Sequence, residues 1–143
     1  MSVLYFIFLF FLYSFIGWIG DTAYRSFYER RYAPGSFFPV PLCPVYGVGA
    51  VLVLVLDGFF HAAPLVLQWV VYGLLLAGLE EATGVFLLVF FKRRLWSYPD
   101  GRKKKGRFTD IGHAMLWGAL AVLLVRYVHP FIGSSVSALT ALF

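Results

Sequence analysis

The feature that most constrains this chain is a set of long apolar stretches, the longest of which covers residues 64–91. That length exceeds the roughly 20 residues that an α-helix needs to cross the ~30 Å hydrocarbon core of a bilayer. The only acidic or basic side chains in the stretch are the adjacent Glu80 and Glu81. An acid near the bilayer centre costs about 2.5–3.5 kcal/mol on insertion scales, so intramembrane carboxylates usually face a bundle interior or a hydrated cavity. These two acids are the first candidates for function.

Composition places the whole chain in the membrane class. Of its 143 residues, 61% are hydrophobic and 13% are charged, and the interior of so short a soluble domain is too small to bury that many apolar side chains. We therefore predict an all-α integral membrane protein that forms a single polytopic domain. Its four predicted transmembrane helices are at residues 3–20, 45–60, 64–91 and 111–132, followed by an apolar tail at 133–143. The second run is short enough to be a re-entrant segment instead.

The basic residues predict the topology. All of them except Arg126 lie in two loops, between the first and second runs and between the third and fourth. Basic residues in short loops favour the cytoplasmic side, so four spans place both loops there and both termini outside. A three-span arrangement would put the two basic loops on opposite faces, which the same rule disfavours.

The first of these cytoplasmic loops is rich in proline. Four prolines fall within eleven residues, at Pro34, Pro39, Pro41 and Pro44, and proline at that density prevents a regular helix. Two interpretations are open. The loop is either a rigid connector whose aromatic residues lie at the membrane interface, or a re-entrant hairpin that lines a cavity.

Several chemistries lack their usual signals. The lone Cys43 excludes an intramolecular disulfide, and the three histidines have no metal-ligand spacing. No phosphate-binding GxxxxGK[ST] motif is present, so any ATPase that drives this protein would be a separate chain. We expect no cofactor, no bound metal and no nucleic-acid partner, and we do not expect an enzyme.

A series of short motifs resembles those of a known family, in the same order. Residues 14–21 (SFIGWIGD) resemble its Y-S-F-x-G-W-x-x-E opening, 41–47 (PLCPVYG) its G-P-x-x-P-I-Y-G segment, and 78–83 (GLEEAT) its intramembrane L-E-Y-x-T. Further matches are Trp96-Ser97-Tyr98, Gly106-Arg107, Trp117-Gly118 and His129-Pro130. Over residues 11–132 the chain resembles the CmpB-like ABC-transporter permease family of small bacterial integral membrane proteins. It resembles a divergent member, because Pro34-Gly35-Ser36 replaces the family's N-R-G and Ser97 replaces an aspartate.

The resemblance implies a transport-type protein of the bacterial plasma (inner) membrane, with Glu80 at the family's acid position. We predict a polar cavity that faces the cytoplasm and binds a cationic or zwitterionic ligand, since an acid there selects positive charge. The predicted cavity residues are Asp21, Tyr24, Tyr46, Glu80, Glu81, Thr83, Arg107, His113 and Trp117. Asp57 and Arg126 are predicted to form a structural ion pair in the outer half of the membrane.

Alternative functions and partners follow from the same residues. The chain could be a non-transporting membrane subunit or scaffold that binds a cytosolic partner through its second basic loop, whose Lys103-Lys104-Lys105 run also suits anionic lipid headgroups. A lipid-modifying enzyme that uses Glu80 and His113 as acid and base is a third alternative. Four helices leave little room for a substrate, so we expect a homo-oligomer, most simply a homodimer, to supply further cavity walls.

Overall fold

The computed structural model describes residues 3–35, 39–94 and 109–140, which are helical apart from short connections. Three helices come first: α1 at Val3–Glu29, α2 at Pro44–Phe60 and α3 at Leu65–Phe91. The last helical stretch is continuous and consists of α4 at Ile111–Leu123, a π-helical segment at Leu124–Val128 and α5 at His129–Thr140.

These helices have the lengths and surfaces of membrane spans. α1, α3 and the stretch Ile111–Ser135 are each long and apolar enough to cross a bilayer, and α2 is a shorter apolar helix. Large apolar side chains are exposed all along these helices, as in Phe131, which is 72% exposed. Such a surface is expected for helices surrounded by lipid. The predicted fold class, all-α with four membrane helices, is confirmed.

Two helices are longer than predicted. α1 continues to Glu29 instead of ending near residue 20, and an ion pair between Asp21 and Arg25, one turn apart, supports the added turns. The last helix continues to Thr140, so the predicted apolar tail is helical over residues 133–140. There the hydroxyl of Ser134 donates a hydrogen bond to the backbone carbonyl of Phe131 in the same helix, at 2.9 Å. This bond satisfies the hydroxyl within an apolar helix.

The helices α1 and α3 end in the same way. Arg30 follows α1 with φ of 50°, and Lys92 follows α3 with φ of 52°, which is the left-handed conformation that commonly terminates helices. Their basic side chains, with those of the arginines that follow, also suit the negative end of the helix dipole.

The described helices belong to two compact units. The first contains α1, α2 up to Leu52 and α3 from Leu79, whereas the second contains the remaining parts of α2 and α3 together with α4 to α5. The core of the second unit is formed by Val53, Tyr72, Ala121 and Val125.

Close backbone approach holds α3 against α4 in the second unit. Gly73 lies so close to the carbonyl of Ala114 that a side chain would not fit there, and Gly118 lies equally close to Trp69. Trp69 also donates its indole N–H to the carbonyl of Met115 at 2.8 Å. Small residues at helix contacts are the usual means of packing helices in lipid.

Candidate functional site

The carboxylate of Asp21 lies at the centre of a polar cluster in the first unit. Its Oδ2 pairs with Nε of Arg25 at 3.0 Å, and its Oδ1 accepts a hydrogen bond from the hydroxyl of Tyr46 at 3.3 Å. Gly35 packs directly against the same carboxylate, where a Cβ would collide with it. We call Asp21, Arg25, Gly35 and Tyr46 the loop-docking cluster, because they join α1, α2 and the connection between them.

The described parts of that connection, residues 33–35 and 39–43, run back along α1, and we call them the returning segment. The backbone N–H of Ala33 donates to the hydroxyl of Ser26 at 3.1 Å, that of Gly35 to the hydroxyl of Thr22 at 3.0 Å, and that of Cys43 to the carbonyl of Ser14 at 3.0 Å. Ser26 and Ser14 are about 18 Å apart along a helix that rises 1.5 Å per residue. The segment therefore folds back towards the middle of α1, and α2 starts there.

The start of α2 packs against α1 through glycine. A Cβ on Gly17 would collide with the side chain of Tyr46, and a Cβ on Gly47 would collide with Ser14 Oγ and the Phe10 carbonyl. Ser14 is fully buried, and its hydroxyl has no hydrogen-bond partner in the described part of the chain. The first two family motifs thus meet in space, because their glycines allow the two helices to touch.

Glu80 lies in the part of α3 that belongs to the first unit. Its side chain is 8% exposed, whereas Glu81 beside it is only half-buried. Thr83, one turn further along, donates its hydroxyl to the carbonyl of Leu79 at 2.7 Å, as hydroxyls inside apolar helices commonly do. Tyr24, in contrast, is 55% exposed and lies against Tyr28.

The other predicted cavity residues are placed differently. Arg107 lies outside the described residues. His113 belongs to the second unit and contacts Asp110, the N-cap of α4, through both its backbone N–H and its ring Nδ1 at 2.8 Å. Trp117, one turn further along α4, is half-buried in the same unit. Of the nine residues, the structure brings Asp21 and Tyr46 into contact.

A second polar cluster links the turn between α2 and α3 to the π-helical segment. Gln68 is fully buried; its amide nitrogen contacts the carbonyls of Phe60 and His61 at 2.9 Å and that of Ala63 at 3.1 Å. Its amide oxygen accepts from the guanidinium of Arg126 at 3.0 Å. The side chain therefore closes the carboxyl end of α2 and holds Arg126 in place.

Asp57 completes this cluster. Its carboxylate accepts from the hydroxyl of the fully buried Tyr72 at 2.7 Å and contacts Nδ1 of His61 at 3.1 Å. Asp57 and Arg126, the predicted pair, thus belong to one network, although within the described residues each bonds to other partners. We call Asp57, His61, Gln68, Tyr72 and Arg126 the Gln68 network.

Sequence reasoning missed Gln68, because within the long apolar run it selected the two acids, Glu80 and Glu81, and the motif residue Thr83. The available signal was a lone amide within the apolar run, one turn after Pro64. Within residues 3–35, 39–94 and 109–140, no group of three or more His, Cys, Asp or Glu side chains is arranged to hold a metal ion.

These features define the class as a multi-pass α-helical membrane protein. The sequence model of the family described as "putative ABC-transporter type IV" matches residues 8–143, so the chain belongs to that family and the predicted CmpB-like relationship is confirmed. A search of curated proteins and a search of solved structures each gave no match. The family name supports a membrane protein related to ABC transporters.

Proposed function

We propose that this chain is a small transport-type membrane protein that binds a cationic or zwitterionic ligand at Glu80. The observation that carries the proposal is that Glu80 is buried within a helix that is long and apolar enough to span a membrane. A buried ionised acid is stable only when it is paired, hydrogen-bonded or neutralised. The ammonium group of a cationic or zwitterionic ligand can pair with such a carboxylate, so an acid at this position selects positive charge.

We further propose that the returning segment, which belongs with Glu80 to the first unit, controls access to that site. It is attached to α1 through single hydrogen bonds to Ser26 and Thr22 and through the contact of Gly35 with Asp21. A hydrogen bond of this kind is worth about 0.5–1.5 kcal/mol, so a few of them can break during a transport cycle. The prolines keep the released segment extended and limit the conformational entropy that redocking costs.

The orientation is part of the proposal. The basic residues that end α1 and α3, Arg30 and Lys92, both belong to the first unit, and we assign that unit's basic loops to the cytoplasm. In a Cys43→Ser background, single cysteines at Ala62 and Lys104 should label from opposite sides of the inner membrane. Cytoplasmic labelling of the N-terminus would contradict the four-span topology with extracytoplasmic termini.

The function is tested by comparing two adjacent acids. Glu80→Gln should abolish the thermal stabilisation of purified protein by tetramethylammonium or glycine, which serve as cation and zwitterion probes. Glu81→Gln is the matched control and should keep most of that stabilisation. Equal effects of the two substitutions, or a loss of folded protein in Glu80→Gln alone, would favour a structural role for Glu80.

The second candidate is a non-transporting subunit or scaffold. It is favoured by Asp21 and Asp57, each of which accepts a hydrogen bond from a tyrosine on another helix and so can hold helices together. A scaffold would dock a cytosolic partner, such as a separate ATPase, through Lys103-Lys104-Lys105. For a scaffold, replacing these lysines with Gln should abolish co-purification of the partner, and the probes should stabilise neither the original protein nor the variant. For a transport protein, the probes should stabilise both to the same extent.

A further inference from the structure

The Gln68 network holds one negative and one positive side chain without pairing them directly. Within the described residues, the carboxylate of Asp57 is bonded to Tyr72 and His61, and the guanidinium of Arg126 to Gln68. The hydroxyl of Tyr72 interacts electrostatically with both charges, so the two lie in one neighbourhood. Polar side chains fix each charge in its own place.

The location of the network sets its depth in the membrane. Gln68 bonds to carbonyls of the short turn that joins α2 to α3, and a turn between two membrane helices lies at the level of the lipid headgroups. Arg126, held by the same side chain, is at that level and exposed. Asp57 is one turn before the end of α2, and 16% of its side chain is exposed.

Both charges have capacity for an external partner. Each carboxylate oxygen of Asp57 has one described partner, and an ionised carboxylate has about four acceptor sites in all. A guanidinium carries five N–H donors in a planar fork that matches phosphate, and within the described part of the chain one of its nitrogens is bonded, to Gln68. Arg126 also lies in a π-helical segment, a distortion of α-helices that is frequent at functional sites.

The elements that carry the network also expose aromatic side chains. Three aromatic residues, Phe59, Tyr127 and Phe131, are between 69% and 82% exposed. They lie near the end of α2, in the π-helical segment and at the start of α5, respectively. Exposed apolar side chains on elements that also hold two opposite charges at headgroup depth suit a molecule with a polar head and acyl chains.

We propose that the Gln68 network binds the headgroup of an ethanolamine phospholipid. Arg126 donates to the phosphate, and Asp57 accepts from the ammonium group. The network carries one fixed charge of each sign, so it complements a zwitterion better than an anion. A choline headgroup has no N–H to donate to Asp57, and a glycerol headgroup has no positive charge.

The test compares three lipids on the full-length protein in detergent. Native mass spectrometry measures retention of phosphatidylethanolamine, phosphatidylcholine and phosphatidylglycerol with matched acyl chains. We expect ethanolamine lipid to bind about tenfold more tightly than either of the others, as expected for one charge-assisted hydrogen bond. Tighter binding of the glycerol lipid would overturn the proposal.

Two substitutions assign the two charges. Arg126→Gln should weaken ethanolamine lipid binding about tenfold, and Arg126→Lys, which keeps the charge, should weaken it less. Asp57→Asn should bind the ethanolamine and choline lipids with nearly equal affinity. The ratio of the two affinities is measured on one folded sample, so it does not depend on how much of the variant folds. The control is Arg31→Gln, which removes an exposed arginine paired with Glu29 in the first unit; equal effects of Arg31→Gln and Arg126→Gln would overturn the proposal.

Two soluble probes separate a lipid from a free phosphate ester. Glycerophosphoethanolamine and inorganic phosphate are tested for thermal stabilisation of the lipid-free protein. Weak stabilisation by both supports the lipid assignment. Stabilisation by either probe as large as that by the lipid would overturn it in favour of a soluble ligand. Failure of the Glu80 proposal would leave these results unchanged, since no residue is shared.

Discussion

The loop-docking cluster and the Gln68 network differ in how their polar groups are satisfied. In the first, Asp21 is neutralised by an arginine one turn away on its own helix, and single hydrogen bonds from other segments are added. In the second, the buried amide of Gln68 contacts three carbonyls and a guanidinium from three separate elements. A cluster of the first kind can open with little loss of free energy, whereas one of the second kind fixes the helices that it joins.

The largest expected difference between the two regions is in thiol reactivity. Burial, followed by the negative charge of Asp21, raises the pKa of the Cys43 thiol to about 12. A raised pKa lowers the thiolate fraction at neutral pH, so iodoacetamide should alkylate Cys43 about a thousandfold more slowly than a cysteine at the exposed Ala62 in a Cys43→Ser background. The Cys43 rate should still rise above pH 10, where the Ala62 variant has levelled off. Similar rates at pH 8 would mean that the returning segment is mostly undocked.

Gln68→Met tests the more rigid region. Methionine keeps the length of the side chain but leaves buried carbonyls and a guanidinium without their partner, so we expect a loss of about 3 kcal/mol in the free energy of unfolding. Unfolding in mixed micelles measures it. The control is Leu67→Met at the neighbouring position, where the side chain is 45% exposed and the change should be small. A loss below that of the control would show that the network does not hold the second unit together.

Gly47→Ala tests the contact of α1 with α2 in the first unit. The added Cβ would collide with Ser14 Oγ and with the carbonyl of Phe10. Because one of these atoms is backbone, the helices must move apart, at a cost of about 2 kcal/mol.

The matched control for this substitution lies on the same helix. Gly58 has nothing within 4 Å of the position of a Cβ, so Gly58→Ala should be neutral or stabilising by up to about 1 kcal/mol. Equal stability of the two variants would contradict close packing at Gly47.

Tyr46→Phe gives the smallest expected effect. It removes one hydrogen bond to Asp21, so the free energy of unfolding should fall by about 1 kcal/mol, and Cys43 should become more reactive because the returning segment is held less tightly. Tyr32→Phe, at a side chain that is 72% exposed, should change neither quantity. An unchanged alkylation rate of Cys43 in Tyr46→Phe would show that the hydrogen bond between Tyr46 and Asp21 does not hold the returning segment against α1.

The candidate site was only partly predictable. The motifs of α1 and α2 identified Asp21 and Tyr46, which do meet, since motif positions on packed helices tend to share a contact. A separate argument, from estimated depth in the membrane, placed Asp57 opposite Arg126. Depth alone does not show that the neutral amide of Gln68 lies beside the arginine. The depth argument also grouped His113 with Asp21, although the described contacts of His113 are with its own helix cap, Asp110.

The sequence by itself determined the membrane class, the four helical spans and the family, because hydropathy is a local property that accumulates along each apolar run. Tertiary structure decided where α2 begins, which glycines touch a neighbouring helix and which partners satisfy Asp21, Gln68 and Arg126. The physical reason is distance: a hydrogen bond forms only within about 3.5 Å, and that separation depends on how segments far apart in the chain pack together.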